Sequence, residues 1–227
     1  MSSLFRRLID GGGVAVAPSV LAADFARLEK EIRAVDAAGA DCLHLDVMDG
    51  NFVPNITFGP FVVEAIARLT KLPLITHLMI LNPGDYAERF VEAGSYAVSF
   101  HREAMESGHA DLLKKIRALG CKAGVAINPD TPLSAVIDLL PGLDFLLVMT
   151  VFPGFGGQSF IPEALGKAEE AARVRKEKGL DFLIEVDGGV KPENARLVRE
   201  AGAQIVVAGT AIFRSPDYAA AVAAIRG

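Results

Sequence analysis

Residues 42–50 read Cys42-Leu43-His44-Leu45-Asp46-Val47-Met48-Asp49-Gly50. An apolar, strand-like run ends in a polar tip and then in an Asp-Gly pair of the kind that turns a chain. On a strand, successive side chains alternate between faces, so His44, Asp46 and Met48 share one face and Leu43, Leu45 and Val47 share the other. Parallel strands buried on both faces read as nearly continuous apolar runs, and polar residues gathered at their C-terminal ends mark the face on which barrel active sites sit.

Working outward, similar β-rich runs start near Val14, Cys42, Pro73, Tyr96, Lys122, Phe145, Phe182 and Gln204, eight in all. Segments with helical spacing lie between them, such as Phe25, Leu28, Ile32 and Val35, or Phe61, Val62, Ala65, Ile66 and Leu69. Gly39, Gly94, Gly120, Gly179 and Gly202 each close such a segment shortly before a strand, a recurring helix stop. Asp24, Asn82 with Pro83, and Pro216 with Asp217 stand where helices start. The repeat is roughly 27 residues, the size of a βα unit. This predicts an α/β fold, a single-domain (β/α)8 TIM barrel over residues 14–227, with residues 1–13 as a loose N-terminal leader. The polar exceptions, Ser19, His44, Asp46, His77, His101, Asn128, Asp187 and Gly209-Thr210, fall at the C-terminal ends of seven of the eight runs.

Composition bounds the function. With 51% hydrophobic and 22% charged residues among 227, the chain buries a large core. A formal charge of −5 leaves no basic surplus for a nucleic acid or an anionic membrane. The apolar run from Phe145 stops at Pro153, well short of a membrane span. Arg6 and Arg7 ahead of Val14–Ala23 superficially suggest a signal peptide, but Gly11–Gly13 and Pro18 interrupt the stretch. Cys42 and Cys121 lie far apart with no paired spacing and read as buried free thiols in a reducing compartment, and a cytoplasmic protein is expected.

Two constellations carry chemistry. His77-Leu78-Met79 repeats the pattern of His44 to Met48, and Asp187 ends the seventh run. Two imidazoles and two carboxylates converging from separate strands suit one divalent ion with an N2O2 donor set: zinc, iron, manganese or cobalt. The second constellation is rich in glycine: Pro153-Gly154-Phe155-Gly156-Gly157-Gln158, then Gly188-Gly189, then Gly209-Thr210. Glycine allows close backbone approach, and barrels often bind phosphate through their last loops. No serine or cysteine nucleophile stands with a base. A metal beside two acid/base groups and a phosphate cradle suits proton abstraction next to a carbonyl, giving epimerisation or isomerisation.

The sequence resembles the ribulose-phosphate 3-epimerase family from about Val14 to Phe213. The likeness is carried by Ala17-Pro18-Ser19-Val20-Leu21-Ala22-Ala23-Asp24-Phe25, His44 to Pro54, His77-Leu78-Met79, Met149 to Phe160, and Val186-Asp187-Gly188-Gly189. The resemblance implies that His44, Asp46, His77 and Asp187 hold one divalent metal, and that Asp46 and Asp187 act as acid and base on opposite faces of the substrate. It implies interconversion of D-ribulose 5-phosphate and D-xylulose 5-phosphate through an enediolate. Ser19 and His77 contact substrate in this reading, Met48, Met79 and Met149 pack around the intermediate, and Gly154, Phe155, Gly156, Gly157, Gly188, Gly189, Gly209 and Thr210 line the phosphate end. A homo-oligomer is also implied. Thr210 stands where the family usually has serine, and Ile75 replaces an aspartate common two residues before His77. His101 reads as a partner of a ligand, and Asp49 and His109 as turn, cap or surface groups.

Two other readings use the same residues. A 3-epimerase of a six-carbon ketose phosphate, such as D-allulose 6-phosphate, needs only more room beyond C3. A barrel lyase with an Asp-x-Lys-x-x-Asp signature fails here, because Met48 and Asn51 stand at the lysine and second aspartate positions.

Overall fold

The computed structural model describes residues 4–227. Eight strands run β1 (Ala15–Pro18), β2 (Leu43–Met48), β3 (Leu74–Met79), β4 (Ala97–His101), β5 (Lys122–Ile127), β6 (Phe145–Met149), β7 (Leu183–Asp187) and β8 (Ile205–Ala208). Six of these begin one residue after the apolar runs read above, and β5 and β6 begin on the expected residue. All paired strands are parallel, in the order β1-β8-β7-β6-β5-β4-β3-β2. The seam between β1 and β2 is closed by a parallel bridge between Ser19 and His44 and by the Asp41 N–H donating to the Val16 carbonyl at 3.1 Å. The sheet is therefore a barrel.

Outside it lie α1 (Leu4–Gly11), α2 (Leu28–Ala37), α3 (Pro60–Leu69), α4 (Pro83–Glu92), α5 (His109–Ala118), α6 (Leu165–Lys178), α7 (Pro192–Glu200), α8 (Thr210–Phe213) and α9 (Tyr218–Arg226). The five helix-stopping glycines all hold positive φ, from 62° at Gly179 to 105° at Gly94, a region other residues rarely enter. The crossover after β5 departs from the alternation. It carries only two 3-10 turns, Leu133–Val136 and Leu140–Gly142, with prolines at the cap of the first and inside the second. Proline removes an N–H donor, and no uninterrupted stretch remains for an α-helix.

The main core fills the space between strands and helices, with Ile32, Val35, Leu45, Ile66, Phe90, Phe100, Ile116, Ile184, Val198 and Ile225 fully or almost fully buried. A second cluster fills the N-terminal end of the barrel and corrects one expectation. Within the expected loose leader, residues 4–11 form a helix instead, and α1 seats Leu4, Phe5 and Leu8 against Ala15, Ala17, Cys42, Ile75, Phe145 and Leu183. The Phe5 ring meets Tyr96 and Phe145 edge-on, with centroids 5.4 and 5.5 Å away. The physical reason is that the inward residues at this end are apolar and need a cover, and Leu4, Phe5 and Leu8 form one helical stripe that supplies it. Residues 1–3 of the expected leader lie outside the described residues. With that end plugged, the opposite rim is left for chemistry.

Candidate active site

The C-terminal rim brings together the four residues read as one cluster. His44, Asp46, His77 and Asp187 each offer a ligand atom, and these atoms all lie within 4.8 Å of one another. His44 and Asp46 come from the inward face of β2, His77 from its neighbour β3, and Asp187 from the end of β7. His44 Nε2 is 3.3 Å from Asp46 Oδ1 and 3.8 Å from Asp187 Oδ2, and His77 Nδ1 is 3.5 Å from Asp46 Oδ1. His44 and His77 are fully buried, yet His44 Nε2 and His77 Nδ1 have no hydrogen-bond partner. Buried polar atoms are ordinarily satisfied. Two orphan ring nitrogens facing two carboxylates are what a divalent ion needs, so the donor set fits the metal expected from the sequence.

The other nitrogen of each ring is held by the protein. His44 Nδ1 lies 3.0 Å from Glu185 Oε1, and His77 Nε2 lies 2.8 Å from His101 Nε2. His101 Nδ1 in turn lies 3.1 Å from Glu103 Oε2. Ile75 sits among the apolar residues at the plugged end, so the support of His77 comes from β4 and not from position 75. Ser19 Oγ donates to Asp46 Oδ2 at 2.6 Å.

The carboxylates are pushed in opposite directions. Burial acts to raise Asp46, but His44 and His77 beside it outweigh that and hold its carboxyl well below the usual range. Asp187 moves the other way, since poor hydration and the nearby Asp46 charge push it up to about 7. Burial, with the neighbouring imidazoles of His101 and His44, holds His77 down to about 3, the neutral form a metal requires. Burial also opposes protonation of His44, but Asp46 and Glu185 more than offset it and raise its affinity for a proton.

Above this cluster is a pocket lined by Ser19, Asp46, Met48, Met79, Met149 and Asp187 at one end. At its other end lie Gly154, Phe155, Gly156, Gly157, Gly188, Gly189, Gly209 and Thr210. His77 lies beneath this lining, fully buried. The glycines are demanded by packing as well as by access. A Cβ on Gly189, at φ 65°, would lie 2.7 Å from the Phe160 nitrogen, and one on Gly188 would lie 2.7 Å from Val151. Thr150 ties this crossing together, donating from Oγ1 to the Gly188 carbonyl at 2.6 Å and from its N–H to the Asp187 carbonyl at 2.8 Å. Gly189, Val190, Gly209 and Thr210 all line this end of the pocket.

A model of the ribulose-phosphate 3 epimerase family matches residues 15–213. The chain belongs to the ribulose-phosphate 3-epimerase family. It is an enzyme, an isomerase by that membership. Among its relatives are the ribulose-phosphate 3-epimerase of Synechocystis sp., 54% identical over 214 residues that span 94% of this chain and 93% of the relative. That of Bacillus subtilis is 51% identical over 215 residues, covering 94% and 99%. In fold the family member is similar to a 3-keto-L-gulonate-6-phosphate decarboxylase from Vibrio cholerae, with a TM-score of 0.70, 14% identity and coverage of 94% and 96%. A 3-hexulose-6-phosphate synthase gives 0.67 at 21% identity, covering 94% and 98%. These two likenesses concern the fold alone. No helix among the described residues is long and apolar enough to cross a membrane.

Sequence reasoning passed over Glu185, Glu103, Thr150 and Thr57. Glu185 had a signal: it stands two residues before Asp187, on the same inward face of β7. Thr57 had none, since its Oγ1 accepts from the Met48 N–H and donates to the Asp46 carbonyl across a loop of irregular backbone. Asp49 has the turn role expected of it, accepting from the N–H groups of Asn51, Phe52 and Leu81. His109, in contrast, is buried at the first turn of α5, with Nε2 2.8 Å from the Arg102 carbonyl.

Proposed function

We propose that this chain interconverts D-ribulose 5-phosphate and D-xylulose 5-phosphate by moving the C3 proton between Asp46 and Asp187. The observation that carries the proposal is the split between these carboxyls. They lie within 4.8 Å of each other beside the same pocket, one held ionised and the other inclined to keep its proton. A base and an acid are thus both available near neutral pH, the condition for general acid–base catalysis.

In this reading one aspartate takes the proton from C3 and the electron pair moves into an enediolate spanning C2 and C3. The other aspartate then gives a proton to C3 from the opposite face, inverting that carbon. His44, Asp46, His77 and Asp187 would hold a divalent ion, and the chemistry it supplies is polarisation of the substrate oxygens so that the enediolate charge is accessible. Ser19 holds Asp46 at one oxygen and leaves the other toward the histidines. Met48, Met79 and Met149 present polarizable, non-titrating surfaces to the planar intermediate and keep water from it. Backbone N–H groups of the three glycine loops receive the phosphate.

The test is solvent deuterium wash-in at C3 of D-ribulose 5-phosphate, with metal-replete and chelator-stripped enzyme, and with D-allulose 6-phosphate in parallel. Label at C3 with D-xylulose 5-phosphate appearing, abolished by chelation, is the expected result. Exchange confined to the six-carbon substrate overturns the substrate, and no exchange with either overturns the mechanism.

A further inference from the structure

A buried histidine and a half-buried glutamate outside the cluster make a hydrogen-bonded chain whose polarity can be worked out atom by atom. Glu103 Oε1 accepts from the Asn128 N–H at 2.8 Å and from the Thr131 hydroxyl. Its other oxygen, Oε2, faces His101 Nδ1 at 3.1 Å. Lys167 Nζ donates to the Asn128 and Pro129 carbonyls and anchors the loop that supplies these donors. With Oε1 occupied by two donors, Oε2 is an acceptor, so His101 carries its proton on Nδ1. His101 Nε2 then presents a lone pair, and the 2.8 Å contact to His77 Nε2 requires the proton on His77 Nε2. His77 Nδ1 is left as a lone pair, buried, without a partner and aimed at the cluster. A neutral imidazole has one donor and one acceptor nitrogen, so with both rings neutral no other assignment satisfies these contacts.

We propose that Glu103, acting through His101, is a positioning residue that sets the tautomer of His77 and so keeps Nδ1 open to a metal. This rests on the metal reading above. The relay differs from the support of His44, whose Nδ1 meets Glu185 directly and whose Nε2 faces the cluster. The two ligand histidines therefore turn opposite nitrogens to the same point, and only His77 depends on a group two hydrogen bonds away.

The test is Glu103→Gln against Glu103→Ala. In Glu103→Gln the two donors at Oε1 force the amide oxygen into that position, which turns the NH2 toward His101 Nδ1. The relay then inverts: His101 protonates on Nε2, His77 on Nδ1, and the lone pair is lost to the cluster. Glu103→Ala removes the acceptor and supplies no donor, so His77 is freed but not inverted. Zinc affinity, read by competition with a chromophoric chelator, is expected to fall about 10–100-fold in Glu103→Gln and by less in Glu103→Ala. A merely structural role predicts the reverse order, because glutamine preserves the shape and alanine leaves a void.

Selective 15N labelling of the four histidines reads the tautomers directly in the metal-free protein. The expected spectra place the His77 proton on Nε2 in the unsubstituted chain and on Nδ1 in Glu103→Gln. Unchanged His77 nitrogens in Glu103→Gln, or zinc affinity within twofold of the unsubstituted chain, overturn the proposal. Failure of the unsubstituted chain to bind zinc overturns the metal reading instead, and the labelled spectra still decide the relay.

Discussion

Replacing Phe5 by alanine measures how firmly the plug at the base of the barrel is seated. The side chain is 2% exposed, touches the inward cluster that includes Ala15, Ile75 and Leu183, and stacks edge-on with Tyr96 and Phe145. Truncating a buried phenylalanine costs about 3–5 kcal/mol, from lost transfer energy and from the cavity left when its neighbours relax only in part. Two aromatic contacts place Phe5 toward the upper end, since each contributes roughly 0.5–1.5 kcal/mol beyond area. For a chain of this length the unfolding entropy near the midpoint is about 480 cal/mol/K, so the expected fall in Tm is about 6–10 °C. The assay is thermal unfolding followed by circular dichroism, at fixed protein concentration and without metal. Epimerase activity below the transition should be retained, because Phe5 lies at the end of the barrel remote from Asp46 and Asp187. A fall of less than about 2 °C would refute the reasoning, because it would mean that α1 does not cover the barrel base in solution.

Asp187→Asn is expected to lose at least ~10²-fold in kcat, the usual contribution of a positioned acid or base, and steady-state turnover checks it. The same substitution changes the pH dependence of stability. Because Asp187 is raised to about 7 in the fold, its contribution is full below the ordinary carboxylate range and is lost as pH climbs through about 7. Urea denaturation of metal-free protein should therefore show the variant gaining on the unsubstituted chain between pH 4 and 7, and a constant difference would contradict the assignment. Glu185→Gln should keep zinc affinity within about tenfold, because Oε2 has no partner and the amide is free to turn its oxygen to His44 Nδ1. Glu185→Leu should lose about 10–100-fold, the typical effect of removing a ligand's partner; chelator competition separates the two. Gly189→Ala puts a Cβ 2.7 Å from the Phe160 nitrogen at a positive φ, and a loss above about 1 kcal/mol is expected from thermal unfolding.

The strands were legible because a parallel barrel buries them on both faces, which writes each one as a short apolar run. The rim was legible for a related reason. Polar residues such as His44, Asp46 and His77 at the ends of such runs have no place in a dry core, and the period of two put them on one inward face. Period and helix stops are local properties, and the sequence carries them without knowledge of partners. The relation between elements is different. That α1 would turn back and close the barrel floor depends on nine residues contributed by six separate strands and by Cys42 just ahead of β2. That His77 would be held by His101, and His101 by Glu103, depends on the pairing of β3 with β4 and on a loop that brings Asn128 and Thr131 to the same carboxylate. The sequence alone determined the barrel, the rim and the candidate ligands. Only the tertiary structure decided which nitrogen of each histidine faces the cluster, which aspartate is pushed toward its protonated form and what covers the floor, because those depend on distances of a few ångströms between groups far apart along the chain.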